Sequence, residues 1–152
     1  MKIPKPKKGY ITIRDVVHHQ NNNLIFLDPC VQRNACWTTH RMIRYIESII
    51  KNGDPGNLLW GDFTDEYAEV DGYYGNLKAE GFVALSIDGN NKSVAVTAFV
   101  NDEFVIEFQE SDGKYKKYFH ELSSDAQSAF LDCEFGHSVH TNASKTKRAE
   151  LF

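Results

Sequence analysis

The chain lacks the sequence features that assign a protein to most well-characterised classes. No apolar run approaches the ~20 residues of a membrane-spanning helix, and the basic N-terminus has no apolar stretch behind it, as a secretory signal would. No glycine-rich phosphate loop opens a predicted helix, and no serine lies in a Gly-x-Ser-x-Gly elbow. The cysteines number only three, which disfavours a secreted disulfide framework. We therefore expect a cytoplasmic protein without a cofactor and without a membrane partner.

The 152 residues are enough for one domain with its own hydrophobic core. No internal repeat and no break in composition marks a second domain. We predict a single domain over 1–152, with mobile basic tails at about 1–9 and 138–152. The first tail carries four lysines and no acidic residue.

Hydrophobic periodicity predicts an α+β fold. The predicted fold has an antiparallel sheet of about four or five strands, packed against one long helix at 34–52 and a shorter C-terminal helix at 124–135. The apolar or alternating segments that indicate strands are 24–27, 58–60, 82–87, 93–100, 103–110 and 114–122. Residues 10–20 fit either a strand or a short helix with Thr12 as its N-cap.

The long helix is the clearest element of the sequence. Its apolar stripe consists of Met42, Ile43, Ile46, Ile49 and Ile50. Asn34 is a good N-cap residue at one end, and Gly53 is a typical stop at the other.

The net charge of −4 conceals an uneven distribution along the chain. Residues 9–144 hold 10 basic and 20 acidic residues, and residues 52–77 hold six acidic residues without any Lys or Arg. Such a charge distribution repels nucleic acid and attracts basic surfaces. The alternative interpretation is a solvated acidic loop that serves only solubility.

Aromatic side chains are interleaved with these carboxylates, a combination that suits a recognition surface for a basic protein. The candidate partner-binding residues are Trp60, Asp62, Asp65, Glu66, Tyr67, Glu69, Asp71, Tyr73 and Tyr74. We interpret the chain as a small acidic binding protein that inhibits or sequesters a partner, such as a toxin or a nucleic-acid-processing enzyme, by occluding its basic surface. Immunity proteins and phage counter-defence proteins are of this kind. The alternative is a set of core aromatics beside a solvated acidic edge.

A second hypothesis is a cysteine-dependent hydrolase. Cys36 follows the predicted N-cap Asn34 by two residues, where the partial positive charge of a helix N-terminus favours the thiolate, and His40 lies one turn further on. The segment Asn34-Ala35-Cys36, followed by Arg41, resembles the nucleophile segment of bacterial cell-wall amidases of the papain fold. That family also has a histidine at the start of a following strand, which segments 81–83 and 92–94 lack. The alternative is that Cys36 is a small buried apolar residue.

A third hypothesis is a zinc-stabilised interaction module, because every cysteine of the chain lies close to histidines in the sequence. The candidate ligands are Cys30, Cys36, His40, Cys133, His137 and His140. The spacing from Cys133 to His140 suits one half of a tetrahedral site. The alternative is two buried thiols and several surface histidines.

Overall fold

The structure, a computed structural model, describes residues 7–27, 36–62 and 77–140. In chain order, the main helices and strands of these ranges are β1 Lys7–Thr12, α1 Ile13–Asn21, β2 Ile25–Leu27, α2 Thr39–Asn52, β3 Asn57–Asp62, β4 Ala84–Asp88, α3 Asn90–Val100, β5 Ile106–Glu110, β6 Gly113–Lys117, α4 Ser124–Leu131 and β7 Glu134–His140. A short 3-10 turn at Phe119–Glu121 lies between β6 and α4. The predicted α+β class is confirmed.

Five of the strands form one sheet, in the order β1-β7-β3-β4-β2. The pairs β1/β7 and β3/β4 are antiparallel, whereas β7/β3 and β4/β2 are parallel. The prediction of a wholly antiparallel sheet was therefore wrong in the direction of two pairings. Apolar alternation marks a strand but carries no information about the direction of its neighbours.

Residues 7–21 adopt both of the conformations that their sequence allows. β1 ends at Thr12, and α1 begins at the next residue. The Thr12 hydroxyl accepts a hydrogen bond from the Asp15 amide at 3.1 Å, which satisfies one of the free N–H groups at the start of α1. Val16 and Val17 then anchor the helix in the core.

Helix α2 is shorter at its start than the sequence indicates. Asn34 lies outside the described residues, and residues 36–38 are not helical. The N-cap is Thr38, whose hydroxyl accepts from the Arg41 amide at 3.2 Å. The predicted end at Gly53 is confirmed: it has a φ of 72° and donates its N–H to the carbonyl of Ile49. Either threonine or asparagine can cap a helix, so local sequence did not decide between them.

The segment predicted as a strand at 93–100 is instead part of the central helix, α3. Its residues Ala95, Val96, Ala98 and Phe99 are all buried, because α3 packs against both α1 and α2. A helix that is buried on most sides loses its 3.6-residue apolar period. The β-branched residues of α3 favour a strand, which explains the prediction. Packing against α1 and α2 overrides this β-strand preference.

The C-terminal helix and the C-terminal tail also differ from the prediction. α4 ends at Leu131 and not at 135, because residues 134–140 form β7, which lies between β1 and β3. Residues 138–140 of the predicted tail thus belong to the sheet, as do residues 7–9 of the N-terminal tail, which lie in β1. The rest of both tails, 1–6 and 141–152, lies outside the described residues.

The helices pack on one face of the sheet and form the main core there. On the other face, Leu77 and Phe82 pack against Leu85 and Ile87 of β4. The strands predicted at 103–110 and 114–122 are shortened to β5 and β6, which form a separate two-stranded sheet. Among the described residues, no helix is long and apolar enough to cross a membrane.

Candidate functional site

The acidic aromatic segment begins where the chain leaves the middle strand of the sheet. Of the nine predicted partner-binding residues, Trp60 and Asp62 lie at the end of β3. The other seven, Asp65, Glu66, Tyr67, Glu69, Asp71, Tyr73 and Tyr74, lie outside the described residues. The chain re-enters the described part at Leu77, which is buried against β4. Ordered elements therefore hold both ends of the acidic segment.

Trp60 is a core residue and not a surface contact. Only 5% of it is exposed, and it belongs to the helix-covered core. The Trp60 ring meets the His137 ring edge-on, with centroids 4.3 Å apart, and the His19 ring lies 5.5 Å away on α1. The burial of Trp60 removes it from the partner-binding surface that the sequence suggested.

The two histidines beside Trp60 are held by different elements. Residues Phe135, His137 and Val139 alternate along β7 on the face that the helices cover. At the end of α1, the Nδ1 atom of His19 donates to the Asp15 carbonyl at 2.6 Å, so its Nε2 atom is the free acceptor when the ring is neutral. Burial, and secondly the nearby charge of His19, lower the pKa of His137 below its ordinary range. His137 is therefore a neutral imidazole at physiological pH.

Four buried polar atoms lie on this face without a hydrogen-bonding partner among the described residues. They are Trp60 Nε1, Asp62 Oδ1, Ser86 Oγ and His137 Nε2. Trp60 and Ser86 are paired across β3 and β4, and Asp62 lies two residues beyond Trp60 on the same face. We call these four residues, with His19, the inner polar cluster. Leaving a buried polar atom unsatisfied costs ~1–3 kcal/mol, and such atoms are available to bind a ligand or water.

The inner polar cluster contains the residue types of a catalytic triad without its geometry. Ser86 Oγ, His137 Nε2 and Asp62 Oδ1 have no hydrogen-bonding partner among the described residues, so these atoms do not link the three side chains into a triad. Ser86 is also fully buried, with no exposed surface. A Ser-His-Asp mechanism needs the serine hydroxyl bonded to the imidazole and open to a substrate. The arrangement therefore does not support nucleophilic catalysis by Ser86.

The structure removes the physical basis of the Cys36 hypothesis. Cys36 lies two residues before the N-cap Thr38, outside the first turn of α2, so the helix N-terminus does not act on the thiol as proposed. His40 lies in α2 and is exposed, whereas Cys36 is not helical. The two side chains are therefore not one turn apart on a shared helix. The alternative, a small buried apolar Cys36, was wrong, because Cys36 is exposed. The hydrolase hypothesis itself stays a prediction.

The neighbour of Cys36, Trp37, fixes the entry to α2. The Trp37 amide donates to the side-chain oxygen of Asn91 at 3.0 Å, and its ring lies edge-on to Tyr45 at 5.3 Å. The Arg41 guanidinium lies 4.7 Å from the centre of the Trp37 ring. These contacts have a structural role: they tie the start of α2 to α3.

The six proposed metal ligands do not assemble in the part of the chain that the structure describes. Cys30 lies outside it, and no group of three or more His, Cys, Asp or Glu side chains in 7–27, 36–62 and 77–140 is arranged to hold a metal. His137 and His140 are three residues apart on β7, so they point to opposite faces of the sheet. Cys133 donates its thiol to the Ala129 carbonyl at 3.4 Å, and burial, then the charge of Asp132, raise its pKa. The half-site from Cys133 to His140 is therefore not a ligand set.

The sequence contained one signal for the inner polar cluster. The period of two in Phe135, His137 and Val139 indicates a strand with His137 on its apolar face. The polar composition after Gly136 suggested a tail instead.

Comparison with known proteins adds no assignment: no family model, no curated protein and no solved structure matches the chain.

Proposed function

We propose that the chain is a small acidic binding protein that inhibits or sequesters a protein partner by occluding the partner's basic surface. The observation that carries this proposal is the charge of residues 52–77, which hold six carboxylates and no Lys or Arg. A continuous acidic segment that is tethered at both ends suits a basic groove on a partner enzyme. The Lys and Arg side chains of such a groove normally bind an anionic substrate, so they also attract the carboxylates of the segment.

The described residues support this proposal through the way the segment is anchored. β3 is the third strand of five, and it delivers Asp62 to the end of the sheet. Leu77, only 6% exposed, then holds the other end against Leu85 and Ile87. Tethering both ends of a binding segment lowers the conformational entropy that binding must remove. An immunity protein or a phage counter-defence protein would use such a segment to block a toxin or a nucleic-acid-processing enzyme.

Without Trp60, the contact surface of the proposal consists of Asp62 and the other seven predicted contact residues, which lie between Asp65 and Tyr74. The inner polar cluster, which includes Trp60, lies at the end of β3, where this segment begins. The aromatic contacts of the interface are then Tyr67, Tyr73 and Tyr74, which combine an apolar ring with a hydroxyl.

The test is a double charge reversal, Asp65→Lys with Glu69→Lys, in a chain used to capture its partner from the organism that encodes it. We expect the double variant to lose most of the partner at low salt, and the original chain to lose it progressively as salt is raised. The matched control is Glu103→Lys with Glu134→Lys, which changes the net charge equally at two exposed positions outside the segment. Equal binding by the double variant, the control and the original chain would refute the proposal.

A further inference from the structure

The two edges of the five-stranded sheet differ in what they expose. β2 is an edge of only three residues, and Ile25 within it is buried. β1, the opposite edge, is six residues long, and Lys7, Lys8, Gly9 and Tyr10 are all exposed. Among the described residues, no strand pairs with the outer side of β1. β1 is therefore the edge that another strand could join.

The register of β1 shows which of its backbone groups are available. The Ile13 amide donates to the Cys133 carbonyl at 2.9 Å, directly after the pair Thr12–Glu134. Hydrogen-bonded pairs alternate along an antiparallel ladder, so Gly9 and Ile11 also direct their backbone groups toward β7. The N–H and C=O groups of Lys8 and Tyr10 consequently point away from the sheet.

The side chains next to this edge define a groove on the face that the helices leave uncovered. Tyr10 is 78% exposed, the largest exposure of any bulky apolar or aromatic side chain in the described ranges. Its neighbours line a groove of about 680 Å³, a size within the range of ligand sites. The residues that line this groove include Lys8, Tyr10, Asn57, Leu59 and Ser138. Asp88 also lines it, but from β4, which two strands separate from β1.

We propose that β1 is a docking edge for an extended acidic segment of a protein partner, which adds to the sheet as a sixth strand. Main-chain hydrogen bonds to Lys8 and Tyr10 hold the segment, and its alternate side chains reach the groove beside Tyr10. The acidic character follows from charge complementarity: Lys7 and Lys8 lie on the edge, and the sequence before them adds Lys2 and Lys5 without any acidic residue. β1 and the groove share no residue with the proposed contact residues Asp62 to Tyr74, so the inference does not depend on the proposed function.

Lysines on an edge strand also have a purely protective role, because they discourage edge-to-edge aggregation. That role does not require an exposed tyrosine or an open groove beside it. The two explanations differ in a measurable way. A docking edge binds peptides through the outward amide of Tyr10, whereas a protected edge binds none.

The experiment selects short random peptides, displayed on phage, for binding to the full chain. We expect acidic sequences with alternating apolar residues, and protection of the Lys8 and Tyr10 amides from hydrogen exchange when a selected peptide binds. Tyr10→Pro removes the outward N–H but leaves the amides of Gly9 and Ile11 bonded to β7. It should weaken binding about tenfold or more relative to Tyr10→Ala, which keeps that N–H.

Charge is tested in the same way, with Lys8→Glu against the control Lys114→Glu on the exposed side of β6. The first variant should lose the acidic peptides and the second should keep them. Selected peptides without an acidic excess, or equal binding by Tyr10→Pro and Tyr10→Ala, would overturn the proposal. Concentration-dependent self-association that Tyr10→Pro abolishes would overturn it as well, since the occupant would then be a second copy of the chain. Persistent protection of the Gly9 and Ile11 amides in Tyr10→Pro shows that the sheet has remained intact.

Discussion

Two regions of the same core are built on opposite principles. Around Phe99 on α3, the rings of Phe104, Phe119 and Phe130 lie with centroids 5.3 to 5.9 Å from its own. We call these four residues the aromatic centre. Around Trp60, the inner polar cluster holds two histidines, together with Asp62 Oδ1 and Ser86 Oγ, which have no hydrogen-bonding partner among the described residues. The aromatic centre buries apolar surface, whereas the inner polar cluster buries polar atoms that the described residues leave unsatisfied.

The difference predicts that the aromatic centre contributes more to the stability of the fold than the inner polar cluster does. Burial of a large apolar side chain stabilises a protein by ~1.5–3 kcal/mol, whereas an unsatisfied buried polar atom costs ~1–3 kcal/mol. Buried polar groups that destabilise a protein are commonly retained at binding sites, where the polar atoms bind a ligand. The inner polar cluster lies where the acidic segment leaves the sheet, which is consistent with that general pattern.

The largest expected effect is at the aromatic centre. Replacing Phe99, which has no exposed surface, with Ala should lower the free energy of unfolding by ~3–5 kcal/mol, because the lost apolar contacts leave a cavity. Urea denaturation measures the loss, and Phe99→Leu gives a smaller change if the alanine variant fails to fold.

The matched control for Phe99 is Phe108→Ala. Phe108 lies on β5 and is only partly buried, so its loss should destabilise the chain by less than half as much. Equal losses at Phe99 and Phe108 would show that the aromatic centre does not dominate the stability of the core.

Elements that depend on neighbouring residues were the predictable part of the fold. Thr12 with Asp15 at the start of α1, and Gly53 at the end of α2, act through contacts within a few residues. The sequence shows such contacts directly. The break between the strands predicted at 103–110 and 114–122 was predictable for the same reason, and Ser111 and Asp112 form the turn there that joins β5 to β6.

Elements that depend on distant packing were not predictable. α3 is helical because α1 and α2 enclose it, although its residues alternate like those of a strand. β7 is a strand because β1 and β3 bind it on both sides. The inner polar cluster exists only after these strands pair, since the pairing brings His137 to Trp60. Trp60 was therefore misread as a surface residue.

The pH dependence of the free energy of unfolding should arise at the inner polar cluster and not at the aromatic centre, which has no titratable group. Burial, and secondly the charge of His19, hold the pKa of His137 below its ordinary 6.5. Below that pH the unfolded chain binds more protons than the folded chain. The free energy of unfolding should therefore be fully retained above pH 6.5 and should fall as the pH drops toward the folded pKa. For one proton the slope cannot exceed ~1.4 kcal/mol per pH unit.

The variant that isolates this slope is His137→Gln, with His40→Gln as the control at an exposed position. Urea denaturation at a series of pH values should give a shallower slope for the first variant and an unchanged slope for the second. If His137→Gln kept the full slope, the acid sensitivity would arise elsewhere and the neutral imidazole would be disproved.

The smallest expected effect compares two buried hydroxyls. Thr97 Oγ1 donates to Gln20 Oε1 at 3.2 Å, so Thr97→Val should lower the free energy of unfolding by ~0.5–1.5 kcal/mol. Ser86 Oγ has no partner among the described residues, so Ser86→Ala should leave the free energy of unfolding unchanged or raise it by up to ~1 kcal/mol. A loss of more than ~1 kcal/mol in Ser86→Ala, measured by urea denaturation beside Thr97→Val, would mean that Ser86 is hydrogen-bonded in solution. The inner polar cluster would then be a satisfied network, and its contrast with the aromatic centre would no longer hold.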